Sequence, residues 1–222
     1  MNTAYLTGAG TTAFGRLDAG PLDLMAQAAT QAIGEAGLAR AQIDGVLCGY
    51  ATTLPHLMLA TLFCERFALE PAYAHAMQMG GATGAGMLML ARELVRSGRC
   101  RNVLVVAGEN RLSGQRRDNA IATLAQVGDP DFELPNGTMI PAYYALLASR
   151  YLHESGLDEA DLAAFAVAMR ANAARHPGAH LRTPITLDEV LSSKPIASPL
   201  KLLDCCPISD GAVAMVVSAD AP

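Results

Sequence analysis

The chain has 222 residues, of which 51% are hydrophobic and 17% charged, and a formal net charge of −5. The acidic balance gives no electrostatic footprint for nucleic acid. No run of about 18 apolar residues is present to span a membrane, and the opening MNTAYLTGAG lacks the basic region and long apolar core of a signal peptide, so a cytoplasmic location is expected. So many apolar residues with so few charges imply one domain, or one domain with a large insertion, and a surface covered by a second copy or a partner chain.

Short β-rich runs alternate with helical stretches. Residues 3–8 predict a strand, followed by a loop carrying Gly8, Gly10, Gly15 and Gly20. Pro21 at a first-turn position opens an amphipathic helix over 22–36, and Gly37 stops it. Asp44-Gly45 is a turn before a strand at 46–50; a helix over 57–67 and a strand at 72–78 follow. The next helix, 82–97, is nearly all apolar, with Arg92, Glu93 and Arg96 only in its later turns, which predicts a buried start and an exposed end. Gly84 and Gly86 cost this helix about 1 kcal/mol each, so something is expected to approach its backbone closely. Residues 102–107 have the continuous apolar run of a sheet centre.

The alternation then stops. Residues 110–200 are more polar and rich in Pro and Gly, with helices expected over about 141–155 and from Asp158 to about Arg175. Gly211–Ser218 return as a buried strand. The order βαβαβαβ, insertion, β predicts an α/β domain with a layered, mostly parallel sheet flanked by helices. Its core is expected at 1–110 plus 201–222, and its insertion at 111–200.

Gly8-Ala9-Gly10-Thr11-Thr12-Ala13 matches G-x-G-x-x-A, but the helix that a dinucleotide site needs does not begin there. The glycines are therefore read as a flexible loop. The five cysteines, Cys48, Cys64, Cys100, Cys205 and Cys206, have no metal-ligand spacing and read as free thiols. His56, His75, His153, His176 and His180 are scattered; His75 could face a dimer interface, and the last three read as solvent-exposed. Arg111, Arg116 and Arg117 follow the fourth strand and are candidates for phosphate contacts, since the guanidinium fork suits phosphate geometry.

Three segments carry a family resemblance: Gln78-Met79-Gly80-Gly81-Ala82-Thr83-Gly84-Ala85, Val103-Leu104-Val105-Val106-Ala107-Gly108-Glu109-Asn110, and Ser209-Asp210-Gly211-Ala212-Val213-Ala214. In order and separation they resemble the N-terminal half of thiolases of the sterol-carrier-protein type. Residues 136–200 resemble that family's loop domain. The resemblance implies two similar halves packed in five layers, usually dimeric, acting on the carbon–carbon bond beside a CoA thioester. Coenzyme A would then be part of the substrate rather than a bound cofactor, and no metal is implied. A histidine and a second cysteine would come from a C-terminal half that lies outside this chain.

The family's nucleophilic cysteine immediately precedes Ala-Thr-Gly or Ala-Ser-Gly, and here that residue is Gly81. No cysteine lies between Cys64 and Cys100, so no shift of register supplies one. Thr83 offers a hydroxyl, but without an adjacent base it is a poor nucleophile, and it reads as a first-turn hydroxyl bonded to backbone. Gly80, Gly81, Ala82 and Thr83 are thus expected to line an open helix start whose N–H groups could hold a thioester or enolate oxygen. Thiolase-like proteins without the cysteine include retro-aldolases of steroid side-chain breakdown, which work with a partner combining an OB-fold and a zinc ribbon. The resemblance implies retro-aldol or enolate chemistry, with an acetyl-CoA acyltransferase and a non-catalytic assembly subunit as alternatives. It also implies a homo-oligomer or a heteromer with a C-terminal-half chain. Asp210-Gly211 reads as shaping the entry to the last strand.

Overall fold

A computed structural model describes residues 3–137 and 139–220, with every side chain among them except that of Arg117. The chain divides into two compact units, 1–115 with 209–222, and 116–208. In the first unit the order is β1 (Tyr5–Thr11), α1 (Pro21–Glu35), β2 (Gly45–Gly49), α2 (Leu59–Phe67), β3 (Tyr73–Met77), α3 (Thr83–Arg96), β4 (Asn102–Glu109) and a short α4 (Arg111–Gly114). The second unit holds α5 (Arg117–Ala125), α6 (Ile140–Ser155), α7 (Glu159–Arg175), α8 (Leu187–Ser192), β5 (Pro195–Ala197) and β6 (Leu200–Lys201). The chain then returns to the first unit as β7 (Gly211–Ser218). Among the described residues no helix is long and apolar enough to cross a membrane.

The five-stranded sheet runs in the order β1-β7-β4-β2-β3. β2 pairs in parallel with β3 and β4, while β7 is antiparallel to both β4 and β1, so all strands except β7 share one direction. The register explains that reversal. Glu109 at the end of β4 pairs with Gly211 at the start of β7, so the chain leaves the sheet and re-enters it at the same edge.

Alternation along the strands distributes side chains to two cores. Val46, Cys48, Leu104, Val106, Ala214 and Val216 pack with α1 and α2 around Leu24, Met25 and Phe63. Leu47, Val103, Val105 and Val217 pack on the other face with Met87, Ala91, Leu94 and Val95 of α3. Both faces of β2 and β4 are therefore covered, which is why their sequences read as continuous apolar runs.

The glycines at 8 and 10 correct the loop reading. Both belong to β1, and they face α1. A Cβ added at Gly8 would lie 2.1 Å from the Ala32 carbonyl oxygen, and one at Gly10 would lie 2.1 Å from that of Ala28. Their lack of a side chain lets α1, whose buried positions include Ala28, Ala29 and Ala32, lie directly on strand backbone. Gly10→Ala is expected to lower stability by about 2–3 kcal/mol, because neither backbone can yield cheaply. Urea denaturation checks this; a variant as stable as the parent would mean that the close approach contributes nothing.

In the second unit the sequence marks its helices with capping residues. The Asp158 carboxylate accepts hydrogen bonds from the Ala160 and Asp161 backbone N–H groups at the start of α7, and Thr186 with Glu189 forms a capping box for α8. Ala120, Ala145, Ala163 and Val190 are its buried apolar residues among those described, while Tyr144, Leu147 and Tyr151 on α6 and Phe165 on α7 stay exposed. The apolar composition of this unit is thus only partly used to build its own core.

Candidate active site

The link from β3 into α3 is a tight turn organised by one hydroxyl. Gly80 takes φ +56, which glycine adopts without strain. Ala82 N–H donates to Met79 O at 3.2 Å and Thr83 N–H to Gly80 O at 3.2 Å. The Thr83 hydroxyl donates to Gly80 O at 2.7 Å and accepts from Met79 N–H at 2.9 Å. Thr83 is buried. Its oxygen is occupied in both directions and works as a rivet.

Gly81 stands in the open. A Cβ added there meets nothing within 4 Å, and its backbone is outside the left-handed region. The same space surrounds Gly84, whereas a Cβ at Gly86 would meet the Met79 sulfur at 2.7 Å and the Met77 sulfur at 3.1 Å. The close approach expected for this helix is therefore made at Gly86 by the chain's own methionines, and at Gly84 by nothing within the chain. Gly81, Ala82, Gly84 and Ala85 are exposed, and Met89 is 69% exposed. This corrects the expectation of a buried start: in this chain the burial of α3 comes from Thr83, Met87, Ala91, Leu94 and Val95, and the face carrying Gly84 and Ala85 is bare.

The three cysteines of the first unit all lie away from Gly81 in buried positions. Cys48 is fully buried on the α1–α2 face, Cys64 lies inside α2, and Cys100 follows the far end of α3. Burial pushes the Cys48 thiol up to about 12 and that of Cys64 up to about 11, and it raises Cys100 as well. These are packing thiols, inert as nucleophiles at neutral pH. Among the described residues no group of three or more His, Cys, Asp or Glu could hold a metal ion.

The histidines are dispersed. His75 lies exposed on the edge strand β3, its ring 6.4 Å from that of Tyr73. His56 accepts a hydrogen bond from Met58 N–H through Nδ1, and His176 accepts one from Gly178 N–H. His153 is exposed near the end of α6. His180 differs from expectation in being only partly exposed.

Arg111 is engaged rather than free. Its Nε and Nη2 donate to Thr52 Oγ1 at 3.2 and 2.9 Å, and Nη2 lies 3.5 Å from Glu109 Oε2. Arg116 is exposed at the N-cap of α5, in the second unit. The Arg117 side chain lies outside the described residues.

Sequence reasoning missed Glu109. Its carboxylate accepts from Thr52 N–H and Oγ1–H at 2.7 and 2.6 Å, from Thr53 N–H and Oγ1–H, and from Asn110 N–H at 3.0 Å. Burial pushes this carboxyl up, but the hydrogen bonds from Thr52 and Thr53 and the Arg111 guanidinium outweigh it and hold it below its ordinary value. Glu109 is therefore ionised and poorly basic at neutral pH. Its signal in the sequence was a lone acid closing an otherwise apolar strand.

Asp210 is the other fixed carboxylate. It is fully buried. Its Oδ1 accepts from Leu112 N–H at 2.8 Å and Ser113 N–H at 3.0 Å, and its Oδ2 from Leu17 N–H at 3.0 Å. Its own backbone pairs with Gly15 in both directions. Asp210 thus ties the loop after β1, the start of α4 and the entry to β7 together. Gly211 beside it leaves room for Phe14, whose ring a Cβ would meet at 2.4 Å.

A mixed sheet with α1 and α2 on one face and a glycine-opened helix on the other defines a thiolase-type domain. Residues 4–221 match the family described as the thiolase N-terminal domain, and the chain belongs to that family. It is 31% identical over 221 residues to an acetyl-CoA acetyltransferase of Methanocaldococcus jannaschii, covering 98% of this chain and 56% of that protein. It is 32% identical over 226 residues to a 17-hydroxy-3-oxo-4-pregnene-20-carboxyl-CoA lyase of Mycobacterium tuberculosis, covering 98% of this chain and 58% of that protein. Among solved structures, an Ltp2-ChsH2(DUF35) aldolase superposes with a TM-score of 0.80 at 31% identity, covering 97% of this chain and 55% of that one. The chain spans little more than half the length of these relatives.

Proposed function

We propose that this chain is the N-terminal half of a thiolase-superfamily enzyme that cleaves or forms the carbon–carbon bond of acyl-CoA thioesters without a cysteine nucleophile, by retro-aldol or related enolate chemistry. The observation that carries this reading is Gly81, standing with open space around it at the start of α3, with every cysteine of the first unit buried elsewhere. A retro-aldol cleavage needs no covalent acyl carrier. A base takes the proton of the β-hydroxyl, the Cα–Cβ bond breaks to leave a carbonyl compound, and the electron pair passes to the thioester as an enolate. The N–H groups and positive end of α3 stabilise that enolate oxygen, and a proton returns to Cα.

The likeness to a steroid-type CoA lyase at 32% identity supports this reading. The likeness to an acetyl-CoA acetyltransferase at 31% favours a second one, acyl transfer with the catalytic groups in the other half. In either case the chain works with a C-terminal half, in a homo-oligomer or as a heteromer; an OB-fold and zinc-ribbon protein is the further partner of the first reading. The exposed guanidinium of Arg116 is the candidate for the phosphates of coenzyme A, which enters as part of the substrate. The free thiols suit a reducing cytoplasm.

The chain co-expressed with its C-terminal half, incubated with a β-hydroxyacyl-CoA, is expected to release an aldehyde or ketone. A β-ketoacyl-CoA with free CoA is expected to give no thiolysis. Thiolysis instead would establish the acyltransferase reading, and silence with both substrates would leave a non-catalytic assembly subunit.

A further inference from the structure

Glu109 and Arg111 form an ion pair unlike the others of the first unit. Their side chains are 24% and 18% exposed, whereas those of Arg66–Asp23 are 66% and 58% exposed and those of Arg101–Asp220 are 69% and 65%. Burying two charges is costly unless geometry and hydrogen bonds compensate. Here Thr52 and Thr53 supply them, binding the carboxylate through both hydroxyls and both N–H groups. Such an investment for an ordinary strand end asks for a reason.

The position supplies one. Gly108 faces α1, since a Cβ there would meet Met25 and Pro21. Glu109, one residue on, therefore turns to the face that carries α3, as Ala107 does in packing with the α3 core. The edge is shared as well. Gly49 pairs with Met77, so β2 and β3 end level, and with Cys48 opposite Val106 β4 runs on past that line to Glu109 at the same end of the sheet. The turn into α3 springs from that same edge, where ligands of α/β sheets bind. The Glu109–Thr52–Arg111 cluster and the open helix start thus share one face and one edge of the sheet. Arg111 spends Nε and Nη2 on Thr52 and Glu109, and among the described residues Nη1 has no hydrogen-bond partner. Beside it, Asn110 Oδ1 is a buried acceptor without a partner among the described residues.

We propose that Arg111 is an acyl-side binding residue of this site, donating from Nη1 to an oxygen on the acyl portion of the substrate, with Glu109 and Thr52 as its positioning residues. This rests on the acyl-CoA reading above and refines it. A cation on the same face and at the same end of the sheet as the helix start is on the thioester side of the substrate, and the pantetheine arm carries the phosphates away from there. Arg111 therefore recognises an oxygenated acyl group and not the nucleotide. Glu109 fixes the guanidinium plane through Thr52 and neutralises part of its charge, so the residue acts as a directed donor in place of a general anion trap.

The test measures equilibrium binding of two ligands to the assembled complex: a 3-oxoacyl-CoA, and the saturated acyl-CoA of the same chain length. In Arg111→Lys and Thr52→Val, the 3-oxoacyl-CoA is expected to bind about tenfold more weakly, while the saturated ligand changes by less than about twofold. Glu109→Gln, which keeps an acceptor but loses the charge, is expected to fall between these variants and the parent. Equal losses for both ligands would make the cluster structural only and overturn the assignment, as would unchanged binding of both. Failure of the parent complex to bind either ligand would instead overturn the acyl-CoA reading, and this inference with it.

Discussion

Gly81→Cys is expected to place a reactive thiolate at the start of α3 without disturbing the fold. The added Cβ meets nothing within 4 Å, and the backbone there is not in the left-handed region that would penalise a side chain. The change in stability should stay within about 0.5 kcal/mol, as for other unconstrained exposed positions. The thiol would sit where the helix dipole and first-turn N–H groups favour an anion, so its pKa should fall below the ordinary value of about 8.5. Carbamidomethylation by iodoacetamide, followed against pH and compared with the parent, reads this directly and needs no substrate. The buried thiols are pushed far above that range, Cys48 to about 12 and Cys64 to about 11, so they should not compete, and alkylation of the exposed Cys206, common to parent and variant, is subtracted by the comparison. A titration midpoint below 8.5 would establish that the helix start retains its anion-stabilising geometry. In the complete assembly the variant should also gain thiolysis of a β-ketoacyl-CoA. A midpoint at or above the ordinary value would show that this helix end acts on nothing at residue 81, and would remove the main support for enolate stabilisation there.

What the sequence revealed and what it concealed follow from the range of the forces involved. Strands and helices were legible because each has its own period and its own punctuation: Pro21 at the head of α1, Gly37 after it and, in the second unit, Asp158 at the head of α7. The short helix α8 was equally marked, by Thr186 and Glu189 three residues apart, but that signal went unread in a Pro-rich stretch. Gly8 and Gly10 looked like a loop because glycine is read as a breaker. Only the position of α1 shows that they admit its backbone. The opening of α3 was legible as a motif and mistaken in burial, since composition records that a face is apolar but not which chain covers it. The meeting of Glu109 with its two threonines was invisible for another reason. Thr52 and Thr53 are separated from Glu109 by more than fifty residues, and no local pattern encodes that meeting.

Asp210→Ala is expected to destabilise the protein by about 3–5 kcal/mol, a large part of the stability of an ordinary domain. The carboxylate accepts hydrogen bonds from the N–H groups of Leu17, Leu112 and Ser113, and the residue is fully buried. Removing it strands those donors where water does not replace the lost acceptor. Asp210→Asn should cost less, because Oδ1 still accepts from Leu112 and Ser113 and only the Leu17 N–H is left facing another donor. The charge has its own pH signature. Burial pushes the Asp210 carboxyl up, but the hydrogen bonds from Leu17, Ser113 and Leu112 outweigh it, and its folded-state pKa lies below the ordinary value. For a depressed acid the stabilisation is fully present above the unfolded-state pKa of about 3.9 and is lost as pH falls through the lower folded-state value. The gap between the parent and Asp210→Asn, measured by urea denaturation at a series of pH values, should therefore be constant near neutrality and shrink below about pH 4. A gap independent of pH would mean that shape alone, and not charge, holds the loop after β1, the start of α4 and the entry to β7 together. A mild effect of Asp210→Ala would mean that these segments find other acceptors, and that the Ser-Asp-Gly-Ala motif at the head of β7 is not what fixes them.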